Sequence, residues 1–558
     1  MNKRLQQFRK LFSPADKRKF AGITLLMSIA GVMEMAGIGL LAGVVVIFLN
    51  PENSKAVWLF EKFRELFPSG SYNLFIITAV SLVALLLAVK NLFSLMIISL
   101  QSKFLSRRQN EISCRLFSNF LYADYRQFLA QPTDVCNGVI ERVKRVFNNF
   151  FSPAVQLVAD VITVVFLSAA SLLMLPWSAI AVLLLTVAMA WCITKIFQKR
   201  NQRLGEAFLK AEQEENKLRF NALLGMEQIK LSGAEENFFS RFASSNSALC
   251  RRYAALYTLG QIPRLALETI ALLLVCAVFA ILLFSGVARE EIVLIFTVIV
   301  AAMARVLPAL SRAHYCLTQL KQYGVLLDEL MEKLTGLPQE NNIVTVPDAD
   351  FSRDIEVENL NFSYTPGQAV LNNFSCHIPA RKLTGISGRS GTGKTTFINL
   401  LSSLFKADSG TIKSGGTDIR SNIPAWRKQL GFVPQNVFIF DGTLKENVAL
   451  GCEEGKIDVE KVKCVLRAAQ LGDFADDPEM ILNSHAGLSG GQRQRIGIAR
   501  ALYTSPEVLI LDEATSALDT ATETEFLKVL ENLRGHVTVI VISHRPETLA
   551  ICDNIIAL

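Results

Sequence analysis

Gly388-Arg-Ser-Gly-Thr-Gly-Lys-Thr395 is the stretch on which the reading of this chain turns. It has the spacing G-x-x-x-x-G-K-[ST], follows the short apolar run Leu383–Ile386 and precedes the helical run Phe397–Leu404. A strand, a loop and a helix in that order are the setting a phosphate loop needs. Gly388, Gly391 and Gly393 free backbone N–H groups to close on phosphate oxygens, and the helix start adds its dipole. Lys394 is expected to reach the β- and γ-phosphates, and Thr395 to offer its hydroxyl to Mg²⁺. Ser390 and Thr396 complete the expected nucleotide-binding set of the loop. The cofactors this predicts are ATP and Mg²⁺.

Further along, Val508–Leu511 is a continuous apolar run, as a buried parallel strand requires. Asp512 and Glu513 stand at its end. Asp512 is placed to hold Mg²⁺, and Glu513 to act as general base on the attacking water. A second such run, Val537–Ile542, ends in Ser543-His544. His544 thereby falls on the strand edge where ligands bind in parallel sheets, which points to the γ-phosphate.

Upstream the composition changes. Half of the 558 residues are hydrophobic and 19% are charged, against about a quarter in ordinary soluble domains. The apolar excess lies in the first 310 residues, in stretches near 20–49, 73–100, 152–174, 177–197, 263–285 and 291–311. Each is near the ~20 residues a helix needs to cross hydrocarbon. Lys and Arg crowd the N-terminus and the loops near 101–151 and 198–262, so both termini are expected in the cytosol. The net charge of +7, clustered beside apolar runs, suits an anionic membrane surface and not a nucleic acid. Residues 1–19 are polar and basic, and the apolar run after them is too long for a signal peptide.

From Asn73 to Gln131 there is no Gly or Pro, and a continuous helix over that range would reach roughly 85 Å. Residues 177–224 read the same way. Such helices project into the cytosol, with contact to the ATPase expected near Tyr125–Phe128 and Gly225–Phe239. Glu34, Asp160, Glu268 and Arg305 lie within the spans, where charge is costly and marks either function or structural pairing. Residues 55–67 place Val57, Leu59, Phe60, Phe63, Leu66 and Phe67 on one helical face, for the lipid interface or for packing on a neighbour.

Thr335–Asp350, with two prolines and a glycine, breaks the helical pattern. The predicted fold is an all-α six-helix transmembrane domain over 1–334, a linker over 335–354, and an α/β P-loop ATPase domain over 355–558. Ten cysteines, without CxxC pairs or zinc spacing, read as free buried thiols in a reducing compartment.

With these residues in view, the chain resembles the ATP-binding cassette (ABC) family. Leu488-Ser-Gly-Gly-Gln492 followed by Arg-Gln-Arg matches the family signature, Gln435 in Val-Pro-Gln the Q-loop, and Ser516-Ala-Leu-Asp519 the D-loop. Tyr364 matches the aromatic that stacks on adenine. The six-helix half resembles the exporters of the same family. The resemblance implies a head-to-tail dimer, in which Ser489, Gly490, Gly491 and Gln492 of one copy complete the site on Lys394 of the other. It places Asp519 at that interface and gives Gln435 a part in catalysis and in holding Mg²⁺. Every element occurs once, so a homodimer suffices, although a related half could take the second place.

Two departures stand out. Leu482-Asn-Ser-His-Ala-Gly487 replaces the Gly-Glu-x-Gly stretch usual in such exporters and leaves His485 unexplained, and the usual final strand and helix after His544 are expected to be missing. Glu34-Met-Ala-Gly-Ile-Gly-Leu-Leu41 with the segment after it is similar to flippases for lipid-linked oligosaccharides. The expected cargo is therefore an amphipathic lipid or lipid-linked saccharide, moved across the bacterial cytoplasmic membrane. A peptide or drug exporter, and an ATP-gated channel or regulator, are the alternatives.

Overall fold

The computed structural model describes residues 11–49, 54–66, 71–129, 133–174, 177–284, 289–336, 353–365, 367–389, 391–483, 487–514 and 520–558. The chain divides into two compact units. One comprises residues 1–121 and 131–337, the other 122–130 and 338–558.

The first unit is helical. Its six longest helices are Pro14–Leu49, Tyr72–Leu121, Ser152–Met174, Trp177–Leu224, Glu235–Phe284 and Arg289–Gln322, of 36, 50, 23, 48, 50 and 34 residues. Each apolar stretch read from the sequence falls within one of them, apart from residue 285, which lies outside the described residues. Among the described residues, Tyr72–Leu121 and Glu235–Phe284 carry the windows most suited to hydrocarbon, with mean hydropathy 2.4 and 2.8. Leu82, Leu92, Leu272 and Leu273 stand more than 60% exposed on these two helices. Exposed apolar surface of that extent is unusual for a protein surrounded by water alone.

The expectation of one helix from 73 to 131 fails. The helix ends at Leu121, and a short helix, Tyr125–Leu129, follows after a turn. Asp124 accounts for the break: its carboxylate accepts from the Gln127 N–H at 3.3 Å, and its carbonyl from the Phe128 N–H at 2.9 Å. An Asp that caps a new turn competes with continuing the old one. By contrast, Trp177–Leu224 is unbroken although it contains Gly205. A Cβ at Gly205 would lie 2.7 Å from the Gln322 side chain, so the glycine lets these two helices approach.

Residues 55–66 of the segment 55–67 lie in the helix Ser54–Leu66, and residue 67 lies outside the described residues. Phe60 and Phe63 pack on Phe75 at 5.5 and 5.2 Å between ring centroids, which is packing on a neighbour, while Val57 and Trp58 stay exposed. Of the charged residues within the spans, Asp160 is buried and accepts from Arg312 at 3.0 Å and from Gln156 at 3.2 Å. That pair ties Ser152–Met174 to Arg289–Gln322. Glu268 pairs with Arg264 one turn away, at 2.9 Å. The side chains of Glu34 and Arg305 lie outside the described residues, as does the junction 337–352.

In the second unit the strands are β1 Ile355–Thr365, β2 Gln368–Ile378, β3 Leu383–Ser387, β4 Ser409–Ser414, β5 Thr417–Asp418, β6 Leu430–Val433, β7 Gly442–Thr443, β8 Ile481–Leu482, β9 Val508–Asp512, β10 Thr538–Ile542 and β11 Asn554–Ala557. A parallel sheet runs β11-β3-β10-β9-β6, and an antiparallel one β2-β1-β4-β5. Alternation along β9 and β10 feeds two cores. Leu509, Leu511, Val539 and Val541 enter one, and Val508, Ile510, Ile540 and Ile542 enter the other beside Phe397 and Trp426. Covering both faces explains the uninterrupted apolar runs. Each such side chain contributes about 1.5–3 kcal/mol on burial.

A short helix, Pro546–Ala550, and a strand do follow His544, contrary to expectation. β11 joins β3 in parallel register, Asn554 opposite Thr384. Asp553 fixes the edge by donating its N–H to the Leu383 carbonyl at 2.7 Å and accepting the Leu383 N–H at 2.9 Å. Only Ile556 of the strand is buried, so the run shows no apolar periodicity to find in the sequence. The expectation of buried thiols also fails in part: Cys114, Cys192, Cys250, Cys276, Cys452 and Cys464 are free but exposed, and Cys316 is the buried one among the described residues.

Candidate active site

β3, β10 and β9 lie side by side, and their C-terminal ends deliver the phosphate loop, His544 and the Asp512–Glu513 pair to one edge of the sheet. Crossover connections and the strand register thus assemble residues up to 156 positions apart in the chain. This is the edge at which parallel sheets bind ligands.

The loop has the backbone that its glycines permit. Gly391 and Gly393 have φ of +87° and +101°. A Cβ at Gly393 would meet Val370 at 2.9 Å, and one at Gly388 would meet the Leu558 carbonyl oxygen at 2.6 Å. Lys394 opens the helix Lys394–Leu401, and its buried amine donates to the carbonyls of Gly388 and Arg389 at 2.9 and 3.0 Å. Those carbonyls hold the cation at the loop. Thr395 is exposed, and the Thr396 hydroxyl lies 3.0 Å from the Tyr364 hydroxyl. Tyr364 meets Phe362 and Phe405 edge-on and keeps about half its surface open. Ser390 lies outside the described residues.

Asp512 is buried at the end of β9, and its carboxyl is pushed up by loss of water and by the neighbouring Glu513, against the pull of Lys394. Glu513 turns sharply, with φ +49°, and its N–H donates to the Ile542 carbonyl at 3.1 Å. A non-glycine residue in this region is strained, and such strain concentrates at functional sites. The turn carries the Glu513 carboxylate between two partners. Gln435 donates its amide at 2.7 Å, and His544 Nε2 lies at 3.4 Å. A buried carboxylate, a hydroxyl, an amide oxygen and a lysine around a glycine cradle form a donor set that fits Mg²⁺ and a triphosphate.

The signature residues open the helix Gly490–Tyr503. Ser489 is its N-cap in a reciprocal box: the Ser489 hydroxyl accepts from the Gln492 N–H at 3.1 Å, and the Gln492 side chain accepts from the Ser489 N–H at 2.8 Å. The first N–H groups of the helix, at Gly490 and Gly491, have no acceptor within the helix, which is the general basis of anion binding at helix starts. Sequence reasoning missed Gln494 in the same helix. Its buried amide donates to the Glu513 carbonyl at 3.3 Å, a tertiary contact without a local signal. Asp519 and the rest of Thr515–Asp519 lie outside the described residues, as does His485.

The ABC transporter family pattern matches residues 371–516, which hold the phosphate loop, the signature and the Asp512–Glu513 pair. The ATP-dependent lipid A-core flippase of Ralstonia nicotianae is 31% identical over 434 residues, covering 76% of this chain and 72% of that protein. The chain belongs to the ABC transporter family. A second ABC relative, the ATP-dependent lipid A-core flippase of Paraburkholderia xenovorans, is 30% identical over 461 residues, 80% of this chain and 76% of that one. In fold, the ABC transporter chain is similar to a bacterial Atm1-family ABC exporter with ATP bound. The TM-score is 0.78 at 22% identity, over 98% of this chain and 94% of that one. This ABC transporter is an exporter half-transporter, with a helical membrane half and an ATPase that couples hydrolysis to transport.

Proposed function

We propose that this exporter works as a homodimer in the bacterial cytoplasmic membrane. It crosses the bilayer six times with its ATPase in the cytosol, and uses ATP with Mg²⁺ to move an amphipathic lipid or lipid-linked saccharide. The observation that carries the catalytic part is the Glu513 carboxylate held between Gln435 and His544 at the end of β9. Glu513 orients the attacking water and takes its proton. Lys394 and the N–H groups of Gly391, Gly393 and Thr395 hold the phosphates, and His544 holds the γ-phosphate end. Thr395, Asp512 and Gln435 supply the ligands for Mg²⁺, which when bound neutralises charge on the phosphate oxygens. Tyr364 faces the adenine. Ser489, Gly490, Gly491 and Gln492 of the second copy close the site, with Asp519 at the same interface.

The cargo reading draws on the flippases of R. nicotianae and P. xenovorans, which share most of their length with this chain. It also fits the apolar outer surface of Tyr72–Leu121 and Glu235–Phe284. The test is ATPase stimulation in proteoliposomes by lipid-A-type glycolipid, phospholipid, drug or peptide, followed by a flipping measurement. Stimulation and movement of a glycolipid are expected. Stimulation by peptides or drugs with none by any lipid overturns the cargo.

A further inference from the structure

We propose that Arg126 is a positioning residue for the nucleotide base, holding the end of β1 so that the Tyr364 ring is presented to it. The proposal rests on the reading that Tyr364 faces adenine and extends it to a residue far away in sequence.

Residues 122–130 interrupt the helical unit in sequence yet belong to the ATPase unit. Within them Arg126 Nη2, which carries two hydrogens, donates to the carbonyls of Ser363 and Tyr364, both at 2.7 Å. Its guanidinium lies 5.0 Å from the centroid of the Phe362 ring. Tyr125 approaches Phe405 at 6.1 Å, and Phe405 in turn stacks on Phe362 at 5.5 Å and meets Tyr364 edge-on at 5.9 Å. From the other side, Asp408 accepts the Ser363 N–H at 2.8 Å. The Ser363–Tyr364 backbone is thus gripped by an acid on its N–H and by a guanidinium on its carbonyls. The hydroxyl of Tyr364 is anchored on Thr396.

These constraints fix the orientation of a ring that remains half open, as base stacking requires. A planar fork suits this task better than an ammonium, because it can bond two carbonyls and stack on Phe362 at the same time. Without Arg126, the base would have to bear the ordering of the Ser363–Tyr364 backbone on binding. The grip meets the phosphate loop at Thr396, through the Tyr364 hydroxyl, whereas the Lys394 amine is held by the carbonyls of Gly388 and Arg389.

The test compares ATP with inorganic tripolyphosphate, which has the phosphates without the base, as ligands of the full-length exporter in lipid. In Arg126→Ala, the affinity for ATP is expected to fall about five- to tenfold while tripolyphosphate competes as it does in the native protein. Arg126→Lys is expected to fall between the two, and it carries the test if the alanine variant does not fold. Unchanged ATP affinity, or an equal loss for ATP and tripolyphosphate, overturns the role of Arg126. Tyr364→Ala is the control. If it leaves ATP affinity intact, the base-stacking reading fails and the proposal falls with it. If it weakens ATP while both Arg126 variants bind normally, the role of Arg126 alone is refuted.

Discussion

Gln435 donates its side-chain amide to the Glu513 carboxylate at 2.7 Å, joining the loop after β6 to the end of β9 across 78 positions of sequence. The bond fixes one carboxylate oxygen and leaves the other toward His544. A carboxylate held from two sides is preorganised to receive a proton from water, and its neutral isostere keeps the shape without the basicity.

Glu513→Gln should therefore lower ATP turnover in lipid by about a hundredfold or more while nucleotide binding persists. Steady-state ATPase and equilibrium nucleotide binding on the same preparation check this. Turnover near the native rate would remove Glu513 from its assigned role.

Gln494 acts on Glu513 through the backbone carbonyl. Gln494→Ala should lower kcat several-fold with little change in KM for ATP, and reduce the stability of the ATPase unit by about 1–2 kcal/mol. Kinetics combined with denaturant unfolding separate the two effects.

The phosphate loop and the apolar strands β9 and β10 were legible because each is written in consecutive residues. Gln494 and Arg126 were not, since their partners lie far off in the chain and neither residue type implies a carbonyl partner. The end of the helix at Leu121 depends on Asp124, a single cap in a segment with no Gly or Pro. β11 was hidden because one buried residue, Ile556, carries no period. In the helical half, the long helices followed from the apolar stretches, but the pairing of Asp160 with Arg312 required the tertiary structure.

Asp512 gives a pH signature. Its carboxyl is raised above the usual value of 3.8 in the folded protein, chiefly by burial. The folded state then binds more protons than the unfolded one between those two values, so this group's contribution to stability declines as pH rises through that window. Without nucleotide and Mg²⁺, Asp512→Asn should raise the melting temperature at neutral pH, and the gain should vanish as pH falls toward 3.8. Thermal melts across pH 4–8 (roughly the range spanning acid to neutral conditions) test the sign.

Gly393→Ala places a side chain at φ +101° and 2.9 Å from Val370. The variant should lose about 1–3 kcal/mol of stability and most of its nucleotide affinity. Calorimetric titration with ATP and a melting curve report both.

In the membrane half, Asp160 is buried and its partner Arg312 is about half exposed. Arg312→Ala should destabilise the detergent-solubilised protein by about 1–3 kcal/mol, below the full cost of breaking a wholly buried pair. Adding Asp160→Asn should recover part of that loss, as thermal unfolding of the single and double variants would show.

Native mass measurement on Glu513→Gln with ATP and Mg²⁺ reads directly whether two copies enclose the nucleotide. Paired chains carrying two ATP molecules are expected, with Ser489→Arg abolishing the pairing. Single chains that bind ATP and never associate would contradict the account.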